Sequence, residues 1–452
     1  MTVRTTDVQV ERDRLPLSFN QQFVSVFDGG DEHGPFGPRY HIVHGWRLRG
    51  PVDASDLRAA LDDVVARHEA LRTVIVRDGE EYHQRVLAPG PVRLEERTLV
   101  AGTPGERARQ AEDLVSEVEA GTKAADEVPH LRAVLARFDD RDAVLVLLVH
   151  HIATDGWSVR VIVRDLAEHY AARREGRPPA VPDVPQYCEH VREERVRAEH
   201  DEAGAAYWRR RLDGARLTAT PTDHRRSQGL EPRTAIHRFH IGAQRFRPVL
   251  DLAARSRSTP FMVLLTGYGI HLSRLTGVTD LVVPTFTPGR PDPRFHDTVG
   301  PFFNFLPLRT DIRDCATFGE VLRRTRTACG EDYVRDIPAV RVFAEAPRLM
   351  EPGMADDAAP VVFQVFPTPY PLDGESFAGV EFAEIQDRTT SVERGADVPD
   401  GALWTIHLPP EGAMFGSIQY RTDLFEESTV AAAAESFCRT LLDGAADPDA
   451  RL

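Results

Sequence analysis

Four residues between positions 150 and 156 have types and a spacing that could support proton transfer at a turn. They are His150, His151, Asp155 and Gly156, and they follow seven apolar residues over 143–149. A histidine near neutral pH can take a proton from an amine or a hydroxyl group, which typically accelerates a reaction about 100- to 10,000-fold. Asp155 could orient a histidine or pair with a cation elsewhere. Gly156 suits close approach of a substrate or a positive φ.

The surrounding sequence predicts a strand, a tight turn and a helix. The apolar run over 143–149 is long enough for a buried strand and too short for a membrane helix. After Gly156 the apolar residues recur at helical spacing, at Val159, Ile162, Val163, Leu166 and Tyr170. Because successive side chains of a strand point to opposite faces, we expect one histidine to face packed side chains and the other an opening.

Two other interpretations of the histidine pair, a structural pair and a metal site, must be weighed. A His-His pair at a strand end is as often structural as functional. A metal site would need further ligands at a suitable spacing. The other fifteen histidines are scattered, and neither Cys-x-x-Cys nor His-x-x-x-His accompanies the pair. We therefore predict no metal site.

The composition limits the class of protein. The 452 residues are 42% hydrophobic and 28% charged, as in a globular protein large enough for two cores. The net charge of −15 predicts no nucleic-acid partner. Residues 1–17 lack the apolar core of a signal peptide, and no run reaches the roughly 18 apolar residues of a membrane span. Four scattered cysteines are typical of free thiols, so we expect a cytoplasmic protein without membrane association.

The motif resembles that of a known enzyme family. The sequence from His150 to Gly156, His-His-Ile-Ala-Thr-Asp-Gly, is similar to the His-His-x-x-x-Asp-Gly signature of the condensation domains of nonribosomal peptide synthetases. Residues 67–73 resemble the family's second motif. Residues 299–309 resemble its fifth motif, usually Gly-x-Phe-Val-Asn-Thr-Leu-x-Leu-Arg. The Arg-Leu-Trp part of the first motif and the arginine-rich seventh motif are not recognisable.

The resemblance implies a role for each motif residue. His151, the second histidine, would be the catalytic residue that deprotonates or positions the attacking group. His150 and Gly156 would support it. By the same resemblance Arg290, in the turn after a buried strand, would pair with Asp155 and hold the catalytic turn.

Four further residues are expected along a substrate channel. Trp157 and Ser158 continue the signature, as often happens in the family. Asn304 belongs to the fifth motif. Phe305 stands where the family usually has threonine, and the resemblance implies that it adds bulk beside the channel.

The resemblance also implies the fold, which is α+β. We expect two lobes, each similar to chloramphenicol acetyltransferase, arranged in a V with a tunnel between them. The N-terminal lobe would comprise residues 1–176 and the C-terminal lobe residues 186–452. Four prolines within 177–185 predict a stiff linker between the lobes. In the second lobe, the sequence predicts helices that begin at the prolines of 248–254 and 260–275.

The function implied is acyl transfer. A donor acyl or aminoacyl group, carried on the 4′-phosphopantetheine of a peptidyl carrier protein, would pass to an amine or hydroxyl of a small-molecule or carrier-bound acceptor. The chain itself would bind no cofactor. We expect a free-standing enzyme, since no adenylation motif or carrier site is recognisable. The alternatives are a coenzyme A-dependent acyltransferase of the same superfamily and a non-catalytic recruitment platform.

Overall fold

The computed structural model describes residues 9–79, 81–199, 201–367, 372–385, 388–398 and 400–452. Its strands are β1 (Val10–Pro16), β2 (His41–Arg49), β3 (Thr73–Asp78), β4 (Glu81–Leu87), β5 (Arg93–Thr98), β6 (Leu131–Asp139), β7 (Asp142–His150), β8 (Ala219–Pro221), β9 (Thr234–Ile241), β10 (Asp280–Thr287), β11 (Asn304–Asp311), β12 (Ala358–Pro367), β13 (Glu375–Phe377), β14 (Val380–Glu384), β15 (Ala402–Leu408) and β16 (Met414–Arg421). Its α-helices are α1 (Phe19–Ser25), α2 (Ala54–Arg67), α3 (Pro104–Glu119), α4 (Gly156–Glu175), α5 (Tyr187–Glu199), α6 (Glu202–Arg211), α7 (Ala243–Arg255), α8 (Pro260–Thr276), α9 (Phe318–Tyr333), α10 (Ala339–Glu345) and α11 (Glu427–Ala446). The predicted combination of helices and strands is confirmed.

The motif strand β7 lies inside a six-stranded sheet with the order β13-β14-β2-β7-β6-β5. It pairs antiparallel with both β2 and β6. Val144 and Val146 pack in one cluster with Val115 of α3, whereas Leu145 and Leu147 belong to a second cluster built around α2 and α4. Burial of both faces explains the continuous apolar run. The strand is therefore a rigid support for the residues at its end.

Two strands of this sheet come from far beyond the linker. β14 pairs with β2, from Glu381 opposite Arg49 to Glu384 opposite Trp46, and β13 pairs with β14. The assignment of all of 186–452 to the second lobe is therefore wrong for residues 375–384. The physical reason is that β2 would otherwise be an unpaired sheet edge.

The second lobe has a five-stranded sheet with the order β8-β12-β15-β16-β9 and a separate β10-β11 ribbon. Aromatic rings fill its core, with Tyr268 of α8 stacked at 4.4 Å on Phe363 and Trp404 packed at 5.5 Å against Phe437 of α11. The ribbon pairs Thr287 with Asn304, so residues 304–309 of the fifth motif lie in its second strand, β11.

The two predicted helices of this lobe have different outcomes. α8 begins at Pro260 as predicted, and the side chain of Thr259 caps it. α7 instead begins at Ala243 and contains Pro248 in its interior. Burial of Phe246 and of apolar residues one and two turns later outweighs the hydrogen bond that the proline cannot make.

Candidate active site

The motif residues lie at a strand-to-helix turn, as the sequence predicts. β7 ends at His150 and α4 begins at Gly156. Asp155 is the N-cap of α4, and its Oδ1 accepts a hydrogen bond of 2.7 Å from the backbone N–H of Ser158. Because the first N–H groups of a helix have no partner within the helix, this contact fixes where α4 starts.

His150 is the histidine that faces packed side chains. It is fully buried, its Nδ1 accepts a hydrogen bond from the N–H of Ile152, and its Nε2–H donates at 3.1 Å to the carbonyl oxygen of Gly37. Burial holds its pKa well below the ordinary value. With both ring nitrogens occupied, neutral His150 supports the turn and takes no part in proton transfer.

His151 is the histidine that faces an opening, since it is only partly buried. Its Nδ1–H donates at 2.8 Å to the carbonyl oxygen of Thr154, which fixes the tautomer and leaves the lone pair on Nε2. Burial also lowers its pKa, against the opposing influence of Asp155. A neutral imidazole with an oriented lone pair is the form required of a general base.

Two aromatic neighbours of His151 were not identified from the sequence. The Tyr40 ring stacks on the imidazole at 4.8 Å with an interplanar angle of 14°, and the Phe303 ring meets it edge-on at 4.9 Å. Tyr40 also accepts a 2.9 Å backbone hydrogen bond from His151. Phe303 could have been proposed, because it lies inside the fifth motif. No motif in the sequence indicated Tyr40.

The predicted pairing of Asp155 with Arg290 is confirmed. Arg290 Nη2 lies 3.1 Å from Oδ1 and 3.3 Å from Oδ2 of the carboxylate. Asp155 Oδ2 also accepts a 3.0 Å hydrogen bond from the N–H of Phe302. The carboxylate therefore pins the turn to the second half of the chain, and the alternative in which Asp155 hydrogen-bonds to a histidine is not the one observed.

The side chain of Arg290, like that of Asp155, is fixed by several contacts. Its side chain is 1% exposed, and its Nη1 donates to the carbonyl oxygens of Phe295 at 2.8 Å and Thr298 at 2.7 Å. The guanidinium also lies 3.7 Å from the centre of the Phe302 ring. Burial lowers the pKa of Arg290, and Asp155 opposes that shift. These contacts give both charges polar or aromatic partners in the interior.

The other signature residues differ from their predicted roles in part. Gly156 has no positive φ, and a Cβ built on it would meet the Phe366 ring at 3.6 Å. Trp157 is partly buried and donates its indole N–H to the carbonyl oxygen of His296 at 2.7 Å. Ser158 is fully buried, and its hydroxyl donates to Asp155 while accepting from Arg290. Ser158 therefore belongs to the polar network and does not line a channel.

The two fifth-motif residues expected along the channel, Asn304 and Phe305, mainly make structural contacts. Asn304 donates to Asp336 and to the carbonyl oxygen of Ile337, and accepts from the N–H of Ala339. It thereby ties β11 to the start of α10. Phe305 is 4% exposed and packs 5.2 Å from Phe23 in the main core. The prediction that Phe305 adds bulk beside a channel is wrong, because its side chain points into that core.

Searches for two other kinds of site gave no candidate in the described ranges. No group of three or more histidine, cysteine, aspartate or glutamate side chains there is arranged to hold a metal ion. No helix there combines the length and apolar character needed to cross a bilayer. The four cysteines are all free.

Comparison with models of known protein families identifies the family of this chain. The model of the Condensation domain family matches residues 11–452. The chain belongs to the condensation domain family. Members of this family act on substrates carried on the phosphopantetheine of carrier proteins in nonribosomal peptide synthesis.

Curated relatives of this condensation domain are much longer proteins. It is 34% identical to the probable nonribosomal peptide synthetase CymA of Salinispora arenicola, over 97% of this chain and 6% of CymA. It is 31% identical to the phosphinothricin tripeptide synthetase PhsC of Streptomyces viridochromogenes, over 96% of this chain and 39% of PhsC. The chain thus spans less than half the length of either relative.

Solved structures show the same fold. SgcC5 from Streptomyces globisporus, in complex with (R)-(-)-1-(2-naphthyl)-1,2-ethanediol and sucrose, is 44% identical with a TM-score of 0.94, over 97% of this chain and 100% of the SgcC5 chain. The X-domain from teicoplanin biosynthesis matches with a TM-score of 0.77 at 24% identity, over 98% of this chain and 97% of the X-domain. The predicted chloramphenicol acetyltransferase-like fold is confirmed. The V arrangement and the tunnel stay predictions.

Proposed function

We propose that this condensation domain transfers an acyl or aminoacyl group from a carrier-protein phosphopantetheine thioester to a small-molecule hydroxyl and forms an ester. The observation that carries this proposal is His151, a neutral histidine whose Nδ1–H is bound to Thr154 and whose Nε2 lone pair is not used within the turn. It is the only signature histidine available for proton transfer, since both nitrogens of His150 are occupied.

The reaction follows from that tautomer. Nε2 of His151 takes the proton of the acceptor hydroxyl as the oxygen attacks the thioester carbonyl. The tetrahedral intermediate then collapses with loss of the phosphopantetheine thiolate, which takes the proton back from His151. Because a thioester is already reactive, holding donor and acceptor together supplies much of the acceleration, and positioning can contribute up to about 7–11 kcal/mol.

The choice of a hydroxyl acceptor is supported by a relative. SgcC5, at 44% identity, was crystallised with a 1,2-ethanediol derivative. A diol offers oxygen nucleophiles and no amine, so transfer to it would give an ester. An amine acceptor, giving an amide, is the alternative within the same mechanism, and it is the bond that the family typically forms.

His151→Ala tests the mechanism. The variant should lower kcat by about 100- to 10,000-fold, the usual contribution of a general base. Product formation is measured with the donor on its carrier protein, against a soluble 1,2-diol and the matching amino alcohol. His240→Ala is the matched control, because His240 is an exposed histidine on β9. Equal activity of the two variants would contradict the role of His151.

The same assay separates the alternative functions. Product from the carrier-bound donor and none from the coenzyme A thioester would support the condensation function. Equal use of the free thioester would indicate a coenzyme A-dependent acyltransferase. Tight binding of the carrier protein without product from either donor would indicate a recruitment platform.

A further inference from the structure

Aromatic rings from three separate segments surround the turn that carries His151. Tyr40, which precedes β2, and Phe303, which precedes β11, both contact the imidazole ring. Phe366 of β12 faces Gly156 at the other end of the turn. The catalytic histidine is therefore bordered by ring faces and edges on more than one side.

Only part of this aromatic surface is covered by protein. Tyr40 is buried, whereas Phe303 and Phe366 are partly exposed. The ring of Phe303 packs edge-on against Phe286 at 5.3 Å. The ring of Phe366 stacks on His407 at 5.4 Å. Both rings thus pack against a neighbouring ring, and both residues keep some exposed surface.

Gly156 helps to keep this region open. A Cβ at position 156 would already be in van der Waals contact with the Phe366 ring, at 3.6 and 3.7 Å. The glycine does not have a positive φ, so backbone strain does not require it. Its lack of a side chain instead leaves space for about one methyl group between the turn and Phe366.

The acceptor is the substrate that must come closest to these rings. Its nucleophilic atom has to lie within hydrogen-bond distance, about 3 Å, of Nε2 of His151 for the proton to be transferred. The group attached to that atom then lies against the rings that border the imidazole. The donor carbonyl carbon is attacked by this nucleophilic atom and does not contact the imidazole itself.

We propose that Phe303, together with Phe366, forms an aryl-binding wall that selects acceptors with an aromatic ring next to the nucleophilic hydroxyl. This proposal rests on the proposed function and deepens it by naming the class of acceptor. Edge-on and stacked ring pairs add about 2- to 12-fold to affinity beyond the burial of area.

The test compares two acceptors of nearly equal size. The carrier-bound donor is combined with 1-phenyl-1,2-ethanediol or with 1-cyclohexyl-1,2-ethanediol, and kcat/KM is measured for each. The wild-type protein should prefer the phenyl compound by about tenfold. Phe303→Val should reduce this preference to within about twofold while the cyclohexyl compound is still used. Phe138→Val is the control, because Phe138 is a partly exposed phenylalanine of β6 beside the β6–β7 hairpin, at the opposite end of β7 from His150.

Failure of this proposal can be told apart from failure of the proposed function. Equal use of both diols by the wild-type protein would overturn the aryl wall and leave ester formation in place, as would a uniform loss in Phe303→Val. If neither diol gives an ester, the proposed hydroxyl acceptor is overturned.

A binding measurement gives a second test that needs no chemistry. Titration of the protein alone with 1-phenyl-1,2-ethanediol, followed by calorimetry, should give a dissociation constant several-fold lower than for the cyclohexyl compound. Phe303→Val should remove the difference, with an unchanged melting temperature showing that the variant is folded. No difference between the two diols in the wild-type protein would contradict the aryl wall.

Discussion

His150 and His151 are adjacent residues of one type, and their surroundings give them different roles. Burial lowers the pKa of both, so both are neutral near pH 7. His150 uses both ring nitrogens in contacts with backbone groups, whereas His151 uses only Nδ1. The difference in role arises from which ring nitrogens have a protein partner.

The lowered pKa of His151 predicts the pH dependence of activity. A general base works only in its unprotonated form, and the folded-state pKa lies below the ordinary 6.5. The profile of kcat/KM against pH should therefore fall on the acid side with a midpoint below pH 6.5. Intrinsic fluorescence recorded at each pH separates this fall from unfolding. A midpoint at or above pH 6.5 would indicate that the imidazole is not the buried neutral base described.

Asp155→Ala should destabilise the protein as well as inactivate it. The substitution removes the N-cap of α4 and leaves the buried Arg290 charge unpaired, and breaking a buried pair costs about 3–5 kcal/mol. Urea denaturation should show the loss, and Arg290→Ala should behave in the same way. A soluble, equally stable and inactive Asp155→Ala protein would instead indicate a direct part in catalysis.

At the scale of elements, the strand that carries the site depends on distant sequence. β2 separates β7 from β14, so residues 380–384 support the neighbour of the motif strand. Phe382 of β14 is 2% exposed and packs edge-on against Phe377 in the core of the first lobe. The crossing strands therefore contribute core side chains as well as backbone hydrogen bonds.

Phe382→Ala should destabilise the sheet of the first lobe. Truncation of a buried phenylalanine costs about 3–5 kcal/mol. Hydrogen exchange should show faster exchange of the β2 amides in this variant. Glu381→Ala, on the adjacent position, removes only an exposed ion pair with Arg49 and should change stability by less than about 1 kcal/mol. Equal protection of β2 in both variants would argue against the role of the crossing strands.

At the scale of the molecule, a buried carboxylate joins the two halves of the chain. Glu119, at the end of α3, pairs with Arg238 of β9 at 2.9 Å and with Arg388 at 2.9 Å. Its backbone oxygen also accepts a 3.0 Å hydrogen bond from Nε2–H of His41, which is opposite His150 in the sheet. Burial alone would raise the pKa of Glu119, but Arg388 and Arg238 together lower it to about 2.

Glu119→Gln should therefore lower stability by about 3–5 kcal/mol near pH 7, because the buried Arg238 and the partly buried Arg388 lose their counter-charge. The depressed folded-state pKa means that this stabilisation is present above the ordinary value of 4.5 and is lost as pH falls toward 2. Urea midpoints of wild-type and variant protein should consequently converge over that range. A difference that does not change with pH would show that the charge of Glu119 is not responsible.

The sequence by itself determined the local structure of the site. The unbroken apolar run required a strand buried on both faces, the change to helical spacing after Gly156 required a turn, and an aspartate before a helix is a strong cap. The pairing of Asp155 with Arg290 came from the family resemblance. These features depend on neighbours along the chain or on a motif retained as a unit.

Only the tertiary structure decided which distant residues meet at the turn. The stacking of Tyr40 on His151, the ring of Phe366 above Gly156 and the return of residues 375–384 to the first sheet all join segments that are far apart in sequence. Side-chain direction in the fifth motif was decided in the same way, since Phe305 turns into the core and Phe303 toward His151. Hydrophobic patterning predicts that a residue is buried but does not predict which residues it packs against. The hydrophobic effect is non-directional, so the packing partner is fixed by how the lobes pack.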